Sequence, residues 1–242
     1  MFHFQRERER ESNYQFNTPQ QGEALGLLTS LPKNSASLVF LDPQYEKVST
    51  VLKLDYPLHF QSDYQISHIL KEIERVLKPS GFCLLWVNKT ILGTDRVPNW
   101  LLQASQLKIV DLLVWNKSRF GLGSWLRSQA EFAFLLQKQP TNSKLFKNRS
   151  FGNVWTEDSL PANQRKHPHQ KPKELIKALI EATTQEGDLI IDPCAGSFIV
   201  LEACQETNRE FIGCDLTFKE IEEFKRKTRI VDKVCLNCFE FV

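Results

Sequence analysis

The feature that most constrains the fold is a series of short, continuous apolar runs separated by segments with helical spacing. The clearest runs are Ala36–Leu41, Phe82–Val87 and Leu189–Ile191. A strand that is apolar at every position is buried on both faces, whereas a strand with one solvated face alternates apolar and polar residues. The segment Gln65–Leu77 instead repeats its apolar residues at helical spacing. This alternation predicts an α/β fold, with a mostly parallel sheet and helices on both faces.

The rest of the chain extends this pattern into one large domain, which its 242 residues can fill. Residues 1–16 alternate Arg and Glu and predict a flexible N-terminal arm, so residues 17–242 form the expected domain. Residues 137–169 have no clear periodicity and predict an irregular insert. The remaining predicted strands are Val110–Trp115, Glu131–Leu136 and Glu210–Cys214. The remaining predicted helices are Glu23–Leu31, Val200–Glu206, one beginning at Pro172 and one after Thr217.

Composition argues against several classes of protein. No run of about 18 apolar residues predicts a transmembrane helix, and the first residues lack the apolar core of a signal peptide. The six cysteines lie mostly in apolar stretches, which favours reduced thiols in a cytoplasmic protein over a disulfide scaffold. Cys235 and Cys238 form the only close pair, without a second pair or nearby histidines. We therefore predict no metal site.

Positive charge is concentrated in the middle of the chain. The formal net charge is +2, but residues 117–173 contain eleven Lys and Arg against three acidic residues. A local excess of this kind is typical of a surface that meets phosphates. The plainer interpretation is a solvated, lysine-rich loop region. The residues of this basic segment, at about 117–170, that we expect to face phosphates are Lys117, Arg119, Arg127, Lys144, Lys147, Arg149 and Arg165.

One apolar run ends in residues suited to a planar base. The run Leu38–Leu41 is followed by Asp42, Pro43, Gln44 and Tyr45. A strand ending here brings a carboxylate, a carbonyl and a ring to the carboxyl edge of the sheet, where open α/β sheets bind ligands. Asp42 and the Pro43 carbonyl can accept both N–H bonds of an exocyclic amino group while Tyr45 stacks on the base. The alternative is a simple turn, which Asp-Pro often begins.

A second group of residues suits a nucleotide-like ligand. Asp192 ends a predicted strand, and Gly196 and Ser197 follow it before the next helix. Glycine in such a turn lets a ligand approach the backbone, and an acid ending the next strand can hold ribose hydroxyls. Asp215 is that acid, and it lies 19 residues after Gly196, which is the interval of one β–α–β step.

In this order, the two groups resemble the β-group of amino-directed DNA methyltransferases, in which the catalytic segment precedes the S-adenosylmethionine segment. Asp42–Tyr45 matches that family's Asp-Pro-Pro-Tyr motif in three of four positions. His167–Pro172, Asp192–Ser197 and Phe211–Asp215 resemble its cofactor half in unbroken order. The match spans roughly residues 20–220. The resemblance implies a Rossmann-like methyltransferase fold with circularly permuted motifs.

The resemblance also implies roles for individual residues. Glu23 resembles the acid that meets the cofactor adenine, and Lys171 touches either the cofactor carboxylate or a DNA phosphate. His167 and His169 are expected to be structural or to face phosphate. Trp115 to Lys117 resembles the strand end before a target-recognition segment. The implied catalytic residues are Asp42, Pro43, Gln44 and Tyr45. The implied cofactor residues are Glu23, Lys171, Asp192, Pro193, Cys194, Gly196, Ser197, Phe198 and Asp215.

Two residues depart from the family's pattern. Gln44 replaces the second proline of the catalytic motif, which removes a fixed φ from the loop. Phe198 stands where the family usually has a second glycine after Gly-Ser. A side chain there is expected to crowd the cofactor or to force another backbone path.

The resemblance implies direct transfer of the sulfonium methyl of S-adenosylmethionine to the amino nitrogen of a base flipped out of double-stranded DNA, which leaves S-adenosylhomocysteine. An acid at the first motif position favours adenine N6 over cytosine N4. The alternatives are a cytosine-N4 enzyme, an RNA adenine methyltransferase, or a degenerate relative that acts as a DNA-binding subunit. A homodimer or a partner subunit is also expected, because the insert offers little recognition surface. A nucleotide-binding oxidoreductase is disfavoured, since no Gly-x-Gly-x-x-Gly opens the chain.

Overall fold

A computed structural model describes residues 14–44, 60–121, 123, 125–161, 164–165, 167 and 169–218. Within them, seven strands form a single sheet. The strands are β1 (Ala36–Leu41), β2 (Leu77–Val87), β3 (Leu107–Asn116), β4 (Ala130–Lys138), β5 (Val154–Thr156), β6 (Leu189–Asp192) and β7 (Glu210–Gly213). The α-helices are α1 (Ala24–Ser30), α2 (Asp63–Val76), α3 (Lys89–Leu92), α4 (Arg96–Trp100), α5 (Lys173–Thr183) and α6 (Ile199–Glu206).

The strands lie in the order β5-β3-β4-β2-β1-β6-β7. β1 pairs in parallel with β2 and β6, β6 with β7, and β3 with β5, whereas β4 is antiparallel to β2 and β3. Six strands therefore point the same way, and we call the sheet edge where they end the carboxyl edge and the opposite one the amino edge. The predicted α/β fold with a mostly parallel sheet is confirmed.

Helices cover both faces of the sheet, which explains why its strands are apolar at every position. Along β1, Val39 and Leu41 face the core under α1 and α2, while Leu38 and Phe40 face the core under α5 and α6. Because successive side chains of a strand point to opposite faces, a strand between two helical layers has no solvated side. All six residues of β1 are buried.

Some elements depart from the sequence-based expectation. β2 begins at Leu77 instead of Phe82, with an irregularity in its pairing to β1 and a positive φ at Ser80. β5 lies inside residues 137–169, for which the sequence predicts irregular structure. It is three residues long and Val154 is exposed, so no apolar run marks it. It forms because β3 offers an edge for it to pair with.

The two chain ends are only partly described. Within the predicted N-terminal arm, Tyr14 and Phe16 pack against the core next to α1, and residues 1–13 lie outside the described part. The helix predicted after Thr217 also lies almost wholly outside it. In the described residues, no helix combines the length and apolarity needed to span a membrane.

Candidate active site

The catalytic motif follows β1 at the carboxyl edge. Asp42 is partly exposed there, and its Oδ2 lies 2.7 Å from the Nζ atom of Lys171. Pro43 is buried, and the Gln44 carbonyl accepts a hydrogen bond from the backbone N–H of Gln61 (2.8 Å). That bond closes the base of the segment 45–59, which lies outside the described residues. The predicted stacking residue, Tyr45, falls in that segment.

The glycine loop follows β6 at the same edge and leads into α6. Gly196 has φ of +47°, a left-handed conformation that glycine adopts without steric cost. Its N–H donates to Oδ2 of Asp215 (3.0 Å), while Oδ1 of Asp215 accepts from the N–H of Thr217 (2.9 Å). The Asp192 Oδ1 atom accepts from the N–H of Cys194 (3.2 Å). The carboxylates of Asp192 and Asp215 therefore stabilise the conformation of the glycine loop by accepting hydrogen bonds from its backbone N–H groups.

Asp192 is the most deeply buried acid of this loop. Burial raises the pKa of its carboxyl well above the usual range, and nearby Asp42 and Asp215 act in the same direction against the Cys194 N–H. Asp42 is paired with Lys171, whereas Asp192 and Asp215 have no lysine or arginine partner among the described residues, and these two acids make an environment that favours a bound cation.

One cavity joins the catalytic motif and the glycine loop. Its lining contains nine of the predicted residues, namely Asp42, Gln44, Lys171, Asp192, Pro193, Cys194, Gly196, Ser197 and Asp215. It also contains residues to which the sequence analysis gave no role, among them Gln61, Trp86, Ile176 and Thr217. Glu23 lines an adjoining cavity with Phe60 and Ile69, and the two cavities share Ala24, Gln61 and Leu216. Residues 20–22 pair with Asp215 and so place Glu23 there.

Lys171 is the centre of a chain of charges. Its Nζ lies 2.7 Å from Asp42 Oδ2, 2.9 Å from Glu131 Oε2 and 4.6 Å from the ring centroid of Trp86. Glu131 also pairs with Lys117, which lies over the Trp115 ring. Burial alone would raise the pKa of Glu131, but the two lysines outweigh it and lower that pKa to about 2. Burial alone would lower the pKa of Lys171, and the two carboxylates raise it above its ordinary value.

Glu131 is a site residue that sequence analysis missed. It appeared only as the first residue of a predicted strand and as one of three acids in the basic segment. A charged residue beginning a buried strand is the one signal that points to it, because such a charge needs a partner.

His169 also lines the cavity. Its Nε2 atom is buried and has no hydrogen-bond partner among the described residues. Burial lowers the pKa of His169, so the ring is neutral near neutral pH. A buried polar atom without a partner costs free energy, which a ligand placed in the cavity can recover.

Phe198 does not crowd the cavity, contrary to the expectation from sequence. Its backbone adopts the left-handed conformation (φ 56°, ψ 28°) that a glycine would favour. Its ring lies in the core, with centroids 6.4 Å from Phe211 and 5.1 Å from Phe218, and is 5% exposed. The ring therefore fills the core and does not line the cavity, so a contact between Phe198 and the cofactor would come from its backbone, and that contact stays a prediction.

The basic segment does not form one surface, so the prediction that its Lys and Arg residues lie together on one face is wrong. Lys144 follows β4 at the amino edge, and Lys147 binds the carbonyl of Thr184 there, just after α5. Arg149 lines a separate groove beside Val110. Because β4 runs antiparallel to its neighbours, it carries the chain from the carboxyl edge to the amino edge. These three residues are therefore separated from the cavity.

The other basic residues lie at the carboxyl edge, where β3 and β4 are joined by residues 117–129. Lys117 is committed to Glu131, whereas Arg119 is 72% exposed and lies 3.6 Å from Asp158. Arg127 donates through Nε to the carbonyl of Gly121 (2.6 Å). Arg165 lies in the loop after β5 and donates to the Leu160 carbonyl (2.6 Å).

Residues 117–129, which we call the β3–β4 hairpin, also carry exposed apolar side chains. Phe120, Trp125 and Leu126 are 70%, 97% and 80% exposed. Sequence analysis gave them no role because an isolated apolar residue in a loop has no diagnostic spacing. No group of three or more residues that could hold a metal ion is found in the part of the chain that the structure describes, and Cys235 and Cys238 lie outside it.

A carboxylate after β1 and a glycine loop after β6, meeting at one edge of a Rossmann-like sheet, define the class of amino-directed methyltransferases with permuted motifs. The chain belongs to the N6/N4 DNA methylase family, whose sequence profile matches residues 37–226. Its reaction is therefore the S-adenosylmethionine-dependent methylation of an amino group in DNA, and the resemblance predicted from sequence is confirmed.

The names of proteins with similar sequences agree with this family assignment. The chain is 36% identical over 219 residues to the type II methyltransferase M.HhaII of Haemophilus parahaemolyticus, covering 85% of this chain and 93% of the relative. It is 25% identical over 241 residues to the DNA adenine methyltransferase YhdJ of Escherichia coli K12, covering 83% and 79%.

Solved structures share the fold. The complex of M1.HpyAVI with S-adenosylmethionine superposes with a TM-score of 0.63 at 17% identity, covering 87% of this chain and 97% of that one. The cytosine-N4-specific PvuII DNA methyltransferase gives a TM-score of 0.62 at 16% identity, with 82% and 81% covered.

Proposed function

We propose that this protein methylates adenine N6 in double-stranded DNA and that Asp42 is its central catalytic residue. The observation that carries the proposal is the single cavity that joins Asp42 to the glycine loop of Gly196. The acid at the first motif position favours adenine, and the relative YhdJ is named an adenine methyltransferase. The relatives named type II methyltransferases suggest a role in restriction–modification.

The residues present suit S-adenosylmethionine. The acids around the cavity favour a cationic ligand, and the unpartnered Nε2 of His169 offers a polar contact. The glycine loop and Asp215 would hold the ribose and methionine portion, and Glu23 in the adjoining cavity would accept from the adenine amino group. When bound, S-adenosylmethionine would supply an electrophilic methyl group: the amino nitrogen would form the N–C bond as the C–S bond breaks, and the proton lost from nitrogen would pass to the Asp42 carboxylate or to water.

The protein's own contribution is to prepare the amino nitrogen. An aromatic amine is a weak nucleophile because its lone pair is delocalised into the ring. Hydrogen bonds from its two N–H groups to Asp42 and to the Pro43 carbonyl favour a pyramidal nitrogen with an available lone pair. One such preorganised partner is worth roughly 3–4 kcal/mol. Asp42 does not need to remove a proton before transfer, because the amino group is already neutral.

For DNA binding we propose the carboxyl edge as the interface. Arg119, Arg127 and Arg165 would lie against phosphates, and the exposed rings of Phe120 and Trp125 would stack on bases or fill the place of the flipped one. Stacking offsets part of the few kcal/mol that flipping costs. Tyr45 is proposed to stack on the target base.

The experiment that tests this function is transfer of a labelled methyl group from S-adenosylmethionine. Unmethylated duplex DNA, single-stranded DNA and RNA are assayed in parallel, and the products are digested to nucleosides and identified by mass spectrometry. We expect label in N6-methyladenine from duplex DNA. Label in N4-methylcytosine or only in RNA would contradict the proposed base or polymer. No label in any polymer would contradict the proposed activity, and loss of cofactor binding by calorimetry as well would indicate a degenerate relative.

Oligomeric state and location stay predictions. Size-exclusion chromatography with light scattering tests the expected homodimer. The cytoplasmic location expected from the sequence would place the enzyme where bacterial DNA lies.

A further inference from the structure

We infer that Lys171, held by Glu131, is the positioning residue that orients the Asp42 carboxylate toward the target amino group. This inference rests on the proposed function, because it assumes that Asp42 accepts the amino N–H. From sequence, Lys171 was expected to touch the cofactor carboxylate or a DNA phosphate. In the structure its ammonium group instead forms ion pairs with two carboxylates of the protein.

Lys171 is fixed on three sides. Its Nζ lies 2.7 Å from Asp42 Oδ2 and 2.9 Å from Glu131 Oε2, and it lies over the Trp86 ring at 4.6 Å. The side chain is 12% exposed. An ammonium with two carboxylate partners and an indole face cannot turn toward a phosphate without breaking both ion pairs and leaving the Trp86 ring.

In this arrangement the two carboxylate oxygens of Asp42 have different partners. Lys171 occupies Oδ2, so Oδ1 becomes the oxygen that accepts the N–H of the target amino group. Lys171 thus fixes the rotation of the Asp42 carboxylate before a base arrives, which is electrostatic preorganisation.

Glu131 keeps Lys171 in this position. It is the second residue of β4, beside the end of β2 that carries Trp86, and its other oxygen pairs with Lys117. Glu131 is therefore anchored to the sheet and to the base of the β3–β4 hairpin. Without it, the ammonium of Lys171 has one carboxylate instead of two and is free to rotate away from Asp42.

The test compares Lys171→Gln, Lys171→Arg and Glu131→Gln with the wild type. Lys173→Gln is the matched control, since Lys173 lies two residues away and pairs with Glu206 at the protein surface. For each variant, circular dichroism checks folding, calorimetry gives Kd for S-adenosylmethionine, and initial rates give kcat and KM for DNA.

We expect Lys171→Gln to lower kcat at least 100-fold while Kd for S-adenosylmethionine and KM for DNA change less than threefold. Lys171→Arg should recover part of kcat, and Glu131→Gln should lose about tenfold. A role confined to folding would not lower kcat while leaving Kd and KM unchanged, and Lys171→Arg would not recover part of kcat.

Two results would overturn the inference. One is a kcat within threefold of wild type in Lys171→Gln. The other is a Kd for the cofactor that weakens at least tenfold with kcat unchanged, which would make Lys171 a cofactor ligand. An inactive wild type would instead count against the proposed function. In that case a double-mutant cycle of Asp42→Asn with Lys171→Gln tests the pairing of the two residues through protein stability. We expect a coupling of at least tenfold in the unfolding equilibrium constant. Additive effects of the two substitutions would contradict the pairing.

Discussion

The carboxylate of Asp215 accepts a hydrogen bond from the backbone N–H of Gly196, with a nitrogen–oxygen distance of 3.0 Å. This bond joins the end of β7 to the loop after β6, the two parts of the site that the sequence analysis linked only through their spacing. A charged acceptor on a loop N–H is worth about 1.5–3 kcal/mol. Asp215 thus shapes the cofactor loop as well as lining it.

Replacing this acid should weaken cofactor binding. We expect Asp215→Ala to raise Kd for S-adenosylmethionine at least tenfold, because the loop loses the acceptor that holds Gly196 and the cavity loses an anion. Calorimetry measures the Kd, and Asp158→Ala, in an exposed acid outside the cavity, serves as control. A Kd within threefold of wild type would contradict the role of Asp215.

Removal of the catalytic acid should separate binding from transfer. Asp42→Ala is expected to lower kcat by at least 100-fold, since one preorganised partner of the reacting group is lost. Its Kd for the cofactor should stay close to that of the wild type. Initial rates with labelled cofactor give the result, and Asp111→Ala on the exposed part of β3 is the control. More than a tenth of wild-type turnover would show that the assigned role is incorrect.

Phe198→Gly should weaken the fold without improving cofactor binding. The ring fills the core between Phe211 and Phe218, so its loss should cost about 2–4 kcal/mol of unfolding free energy after relief of the left-handed backbone. Urea unfolding measures this, and Phe198→Leu, which keeps an apolar side chain, should lose less. Tighter binding of S-adenosylmethionine by Phe198→Gly would support the expectation from sequence that the Phe198 side chain crowds the cofactor.

The ion pairs of the partly buried Glu131 should make the stability of the protein depend on pH. The pKa of Glu131 is lowered to about 2 from an ordinary value of 4.5. The stability from its ion pairs is thus complete above pH 4.5 and is lost as the pH falls toward 2, with a total of up to about 3 kcal/mol. Urea unfolding between pH 6 and 3 should show a steeper loss for the wild type than for Glu131→Gln. Parallel curves would mean that Glu131 is not paired.

The β3–β4 hairpin should contribute to DNA binding. Trp125→Ala removes an exposed ring, and stacking on a base is worth about 1–3 kcal/mol. We expect Kd for duplex DNA to rise roughly 5- to 100-fold, measured by fluorescence anisotropy, while Kd for the cofactor is unchanged. Leu102→Ala, in an exposed apolar residue before β3, should have no effect. Unchanged DNA affinity in Trp125→Ala would remove this residue from the proposed interface.

Much of the fold and of the cavity was predictable from local patterns. Continuous apolar runs such as Ala36–Leu41 identify doubly covered strands, and the residues that follow them, including Asp42 and Asp192, line the cavity. The three-residue strand β5 was not predictable, because it exists only by pairing with the edge of β3. The hairpin's exposed rings had no diagnostic spacing either.

The sequence by itself determined the fold class, the family and the strand ends that carry the site, because these follow from periodicity and from motifs within a few residues of one another. Only the tertiary structure decided that Lys171 pairs with Asp42 and Glu131, that the Phe198 ring lies in the core, and that Lys144 and Lys147 lie at the far edge from the cavity. The physical reason is that charge pairing and side-chain direction depend on which strands become neighbours. Strand order and the reversal at β4 place distant residues together and separate residues that are close in the chain.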